Sequence, residues 1–212
     1  MSFPPMFGNR KLRAVLVAGV LVAGGSAVAI APAGAQNLGI CNGLAVTIAA
    51  EPGVPTVGTS GNDVIIGTNG DDDINGKGGN DVICGLDGVD LIRGGAGSDW
   101  INGGGKKDII FGGDGNDTLL GSDGWDRMNG GAGRDSMDGG IGNDTMFGGG
   151  WADVMLGGPG ADIMNGGPAN DTLVGGPGAD EVRGSLGTAD RCSDENGVNN
   201  TTIGGCEGGN LS

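Results

Sequence analysis

Residues 112 to 129 read Gly112-Gly113-Asp114-Gly115-Asn116-Asp117-Thr118-Leu119-Leu120, then Gly121-Ser122-Asp123-Gly124-Trp125-Asp126-Arg127-Met128-Asn129. These are two lines of nine. Glycine opens each line and returns at position 4, aspartate stands at position 6, and an apolar side chain stands at position 8. The register holds without insertion from Gly58 to Arg183, giving fourteen nonapeptides. Positions 1 and 6 are glycine and aspartate in all fourteen. Position 8 is Ile65, Ile74, Ile83, Ile92, Ile101, Ile110, Leu119, Met128, Met137, Met146, Met155, Met164, Leu173 and Val182. A fixed period of this kind marks a solenoid, in which each repeat buries its apolar side chain only against its neighbours.

The line divides by its chemistry. Positions 1 to 6, rich in glycine, suit a tight turn that visits positive φ. Positions 7 to 9 form a short strand, whose alternation sends position 8 inward and positions 7 and 9 outward. Two lines make one coil of 18 residues, and coils stack at about the 4.8 Å strand spacing. Aspartates from alternate lines then form two columns. One holds Asp63, Asp81, Asp99, Asp117, Asp135, Asp153 and Asp171; the other holds Asp72, Asp90, Asp108, Asp126, Asp144, Asp162 and Asp180. Neighbouring carboxylates at that spacing repel by about 1 kcal/mol even at the dielectric of water, and by more in a dry turn. The columns call for cations. Carboxylates with turn carbonyls, without sulfur or imidazole, are hard oxygen ligands that suit Ca2+ better than transition metals or Mg2+.

The pattern resembles the hemolysin-type calcium-binding (RTX) repeat, G-G-x-G-x-D-x-U-x with U large and apolar, over residues 58 to 183. The resemblance implies an all-β parallel β-roll (β-solenoid), two repeats per coil, with calcium between successive turns on each edge. It implies that the fourteen aspartates are the ligating carboxylates, with turn carbonyls completing each site. Six gaps per column admit up to about twelve ions. Departures from the pattern mark weaker sites. Position 4 is Lys106, Trp151 and Ala169, the last two expected to distort their turns. Lys106 and Lys107, beside Asp108, could stand in for an ion. Position 2 departs from glycine at Thr59, Thr68, Lys77, Leu86 and Ser122, which puts the early sites in doubt. A recurring GNDT-like block every three repeats leaves a three-sided solenoid with 27-residue coils as an alternative.

The composition explains why ions are needed. The chain has 212 residues, 52 of them glycine, with 3% aromatics and no histidine, so a conventional core is out of reach. The net charge of −15 argues against nucleic acid or an anionic membrane surface as a partner. Residues 1 to 35 differ: Arg10, Lys11 and Arg13 precede the apolar run Ala14 to Ala31, with Ala33 and Ala35 spaced for a signal peptidase. This predicts an N-terminal secretory signal cleaved after Ala35 and a secreted chain; an uncleaved anchor is the alternative. Residues 36–57 and 184–212 are the expected N- and C-terminal caps, since a solenoid needs closed ends. Four cysteines in an exported chain favour disulfides, expected as Cys41–Cys84 and Cys192–Cys206.

Catalysis is not expected. No histidine and no GxSxG motif occur, and the segments flanking the repeats are too short for a catalytic domain. The expected function is calcium binding by a secreted repeat protein that folds into its roll on binding the ion, in a structural or interaction role. The alternatives are a calcium-dependent surface adhesin or carbohydrate-binding module and, less favoured, an accessory tail of an exported enzyme. For the carbohydrate binder, Trp100, Phe111, Trp125, Phe147 and Trp151 are the candidate contacts, against their use in packing over glycine turns. Thr118, Thr145 and Thr172 should alternate between faces of a two-sided roll, which argues against an ice-binding array.

Overall fold

The structure is a computed structural model and describes residues 40–185, 189–193, 201–202 and 206. It is an all-β parallel solenoid of two nine-stranded sheets. The first sheet stacks Ile48–Ala49, Val64–Ile66, Val82–Asp87, Trp100–Gly105, Thr118–Asp123, Ser136–Ile141, Val154–Leu156, Thr172–Val174 and Arg191–Ser193. The second stacks Thr56–Val57, Asp73–Gly78, Leu91–Ala96, Ile109–Asp114, Arg127–Ala132, Thr145–Gly150, Ile163–Gly167, Glu181–Ser185 and Thr201–Thr202. Consecutive repeats alternate between sheets, and strands pair 18 residues apart, as Ile110 with Ile92 and Met128. The coil therefore has two sides, and the three-sided alternative is overturned. Thr118 and Thr172 lie on the first sheet and Thr145 on the second, as the two-sided reading requires.

The strands are longer than the sequence suggests. In the middle of the roll each runs six residues, through positions 7 to 9 and on through positions 1 to 3 of the next line. The turn proper is only positions 4 to 6. The expectation that glycine-rich positions 1 to 3 belong to the turn is thus corrected. Position 1 is a second inward-facing position, and it has no room for a side chain. A Cβ on Gly112 would stand on the Asp117 carboxylate and 2.6 Å from the carbonyl oxygen of Gly130 in the next coil. Glycine is required there because the carboxylate of its own repeat occupies the Cβ position. Proline shortens the strands late in the roll: Val154–Leu156, Ile163–Gly167 and Thr172–Val174 end ahead of Pro159, Pro168 and Pro177, which have no N–H for a ladder.

The core is the position-8 column, every member at most 3% exposed. The five methionines from Met128 to Met164 fill the same slot as the isoleucines and belong to the core. At the N-terminal end, the antiparallel pair Ile40–Cys41 and Leu44–Ala45 is tied to the second coil by Cys41–Cys84 (Cα–Cα 5.9 Å). At the other end Cys192 and Cys206 are bonded (Cα–Cα 5.6 Å). Both pairings match the sequence reading. None of the described residues forms a helix able to cross a membrane, and the predicted signal segment lies outside them.

Candidate metal-binding edges

All fourteen aspartates predicted from the repeat are buried, at most 7% exposed, in the two expected columns at the coil edges. What places them is the turn. Position 6 ends it, and the backbone N–H of each aspartate points along the stack to the carboxylate of the aspartate one coil later. Asp99 N–H donates to Asp117 Oδ1 at 2.8 Å, and Asp117 N–H to Asp135 Oδ1 at 2.8 Å. The chain of bonds runs from Asp63 to Asp171 on one edge and from Asp72 to Asp180 on the other.

The two carboxylate oxygens therefore differ. From Asp81 and Asp90 onward Oδ1 is held by the ladder, while Asp72 Oδ1, at the head of its column, is buried without a partner. From Asp81 to Asp171, in both columns, Oδ2 is buried and accepts no hydrogen bond. Desolvating an unpaired carboxylate oxygen is costly, and the group responds by holding its proton. Burial pushes Asp108, Asp117, Asp153 and Asp162 up to about 7, against the pull of the ladder N–H and with a further push from neighbouring carboxylates. Asp90, Asp99 and Asp126 rise to about 6 for the same leading reason. Asp81, Asp135, Asp144 and Asp171 are also raised, chiefly by burial.

No basic side chain bonds to these Oδ2 atoms, although the charge of Lys106 draws Asp90 down in part. Lys106 pairs with exposed Asp87 at 3.4 Å and leaves Asp108 Oδ2 without a hydrogen bond. Lys106 therefore bonds no column carboxylate: its side chain points out of the turn, and it reaches the column only through its charge near Asp90. Lys106, Trp151 and Ala169 all adopt positive φ (75°, 76° and 101°), the conformation taken by Gly97, Gly115 and Gly133 at the same position. They strain their turns without displacing the aspartates, because Asp108, Asp153 and Asp171 remain in the ladder.

Two features escaped the sequence reading. The ladder continues past the fourteenth repeat: Asp171 N–H donates to Asp190 Oδ1 at 2.9 Å, and Asp190 is fully buried. Gly184, Asp190 and Cys192 take positions 1, 6 and 8 of a further line with one residue inserted. That insertion broke the register, and the disulfide role of Cys192 hid its place in the core column. The second feature is a polar ladder at position 5. Asn80 N–H donates to Asn62 Oδ1, Ser98 N–H to Asn80 Oδ1, Asn116 N–H to Ser98 Oγ and Arg134 N–H to Asn116 Oδ1, at 2.8 to 3.2 Å. Only the alternate spacing of Asn62, Asn80 and Asn116 hinted at it.

Buried carboxylate oxygens with carbonyl oxygens nearby, and no basic side chain bonded to them, fit a hard divalent cation. No three acidic or cysteine side chains converge among the described residues, so backbone carbonyls would have to supply most of each site. The RTX calcium-binding nonapeptide repeat profile matches in four copies, over residues 57–83, 85–119, 120–155 and 156–188. The chain belongs to the RTX calcium-binding nonapeptide repeat family. No curated protein matches it. As RTX repeats, the stacked aspartate columns are consistent with calcium binding, and the matched segments reach into the fifteenth line that ends at Ser193.

Proposed function

We propose that this RTX protein is a secreted, non-enzymatic calcium binder whose roll is completed by the ion, serving a structural or interaction role. One observation carries the reading: two columns of buried carboxylates whose Oδ2 atoms, from Asp81 to Asp171, accept no hydrogen bond. Bound at the edges, calcium would supply positive charge and oxygen coordination to those atoms. The chain's own residues do the rest. The aspartates from Asp63 to Asp180 present the carboxylates, the position-1 glycines leave space for them, and the position-8 ladder excludes water from the middle. Binding free energy then becomes folding free energy, so a chain short of calcium before export would fold on reaching a calcium-rich medium. Two disulfides support an oxidising destination. The test is far-UV circular dichroism of the purified chain, titrated with calcium from chelator upward, with magnesium as control. A cooperative, calcium-specific rise in β signal is expected. An unchanged spectrum with both ions refutes the reading.

A carbohydrate-binding role is the second reading. Trp125 and Trp151 are 64% and 65% exposed, so that each leaves a ring face open even where Trp125 lies over Gly142 and Trp151 beside Gly133. Trp151 also lines a shallow cavity with Asn116 and Arg134 on one edge. Phe147, by contrast, is half-buried beneath Arg127, 5.4 Å from its guanidinium. A glycan array run with calcium and with chelator separates the two readings.

A further inference from the structure

The fourteen lines differ at position 2. In twelve of them this residue has positive φ: 77° to 83° at Lys77, Leu86 and Ser122, and 95° to 121° at the nine glycines from Gly95 to Gly176. Thr59 and Thr68, in the first coil, do not adopt it. Lys77, Leu86 and Ser122 show that a side chain alone does not forbid the conformation. A branched Cβ at positive φ is the costly case.

The consequence falls on the aspartates. Thr59 donates its N–H to Asp63 Oδ2 at 2.6 Å and its hydroxyl to the same atom at 3.0 Å. Thr68 does the same for Asp72 Oδ2, at 2.6 and 3.1 Å. Each hydroxyl oxygen also accepts the N–H two residues on, from Gly61 or Gly70, at 3.1 Å. The Oδ2 atom that has no donor from Asp81 to Asp171 thus has two in the first coil, where the buried oxygen without a donor is instead Asp72 Oδ1 at the head of its column.

We propose that Thr59 and Thr68 take the place of the cation in the first coil, so that both of its turns close without calcium and ion loading begins at Asp81 and Asp90. This rests on the calcium reading above. The first coil is then a template that stands before the ion arrives. It is pinned from outside by Cys41–Cys84, which ties the N-terminal cap to the coil that follows. Later coils add to it one at a time, which suits a solenoid whose repeats contact only their neighbours.

The test compares the full chain with Thr59→Gly/Thr68→Gly, which restores glycine at position 2. Calcium is counted by native mass spectrometry, and amide hydrogen exchange is followed in chelator. The variant is expected to bind one further ion at each edge. In chelator, the Thr59 and Thr68 amides of the unaltered chain should exchange about tenfold or more slowly than those of Gly113 and Gly131, as hydrogen bonds to a buried charged group sustain. Equal ion counts in the two chains overturn the substitution of threonine for calcium while leaving the calcium reading intact. Equal exchange at first-coil and central amides overturns the preformed coil, and it does so whether or not the variant folds. A chain that binds no calcium at all overturns the underlying reading instead.

Discussion

In chelator, the roll should become more stable as the solution is acidified from pH 8 to pH 5. The sign follows from burial of the edges. Seven aspartates hold their protons up to about pH 6 or 7 in the folded chain, against 3.8 as the ordinary value. A raised folded value means that the folded state binds more protons. The contribution is fully present below 3.8 and is lost as the pH rises through 6 to 7. Each proton taken up on folding changes the stability by about 1.4 kcal/mol per pH unit. With all seven protonated only in the fold, the slope has a ceiling of about 10 kcal/mol per pH unit near pH 5 to 6, comparable with the whole stability of a typical domain. Coupling along each column lowers this, but a tenth of it is still about 1 kcal/mol per unit and shifts a urea midpoint readily. The assay is urea unfolding in chelator at half-unit pH steps, read by far-UV circular dichroism. A midpoint that stays flat or falls on acidification refutes the claim that unrelieved carboxylates limit the ion-free roll. With calcium present the trend should reverse, since protons and the ion compete for the same Oδ2 atoms.

Three other predictions follow from particular contacts. Gly112→Ala places a methyl on the Asp117 carboxylate and near the Gly130 carbonyl; a loss of about 1–3 kcal/mol and weaker calcium binding are expected. Gly78→Ala meets only the Ala96 carbonyl at 3.6 Å and should lie within about 0.5 kcal/mol of the parent. Equal urea midpoints for these two variants would show that the position-1 space is not limiting. Met146→Ala removes a fully buried member of the core column and should cost about 2–5 kcal/mol by urea unfolding, with calcium saturating. Asp190→Ala deprives the Asp171 N–H of its acceptor and should cost about 1–3 kcal/mol, seen as a lower thermal midpoint; an unchanged midpoint would place Asp190 outside the working ladder.

Much of this was legible in the sequence because the repeat is short and its roles are separated by residue type. Position 8 of every line could be assigned to the core from Ile65 to Val182, and position 6 to the edges, since position 8 alone is apolar in all fourteen lines and position 6 is always aspartate. The strand length was not legible. Gly112 and Gly113 look like turn residues, yet they extend a strand, because the inward position-1 site is filled by a carboxylate from the same line rather than by a side chain of its own. Lys106 was misplaced for a related reason. Sequence proximity to Asp108 says nothing about direction, and at positive φ the lysine side chain leaves the turn and meets Asp87. Asp190 was missed because one inserted residue defeats a strict period, although the backbone absorbs it without breaking the ladder.

The position-1 glycine and the position-6 aspartate are best understood as one unit. The aspartate alone, on a strand with ordinary side chains, would turn its carboxylate to solvent and gain nothing from calcium. The glycine alone would weaken the strand, since it contributes flexibility and no contact. Together they draw a charge into the stack, where Oδ1 joins the ladder and Oδ2 is left short of a partner. Against that cost the apolar column sets only one side chain per nine residues. A protein built this way is set to depend on whatever neutralises Oδ2. Protons do so in acid, and on the reading proposed above two threonines do so at the first coil and calcium at the other turns at neutral pH.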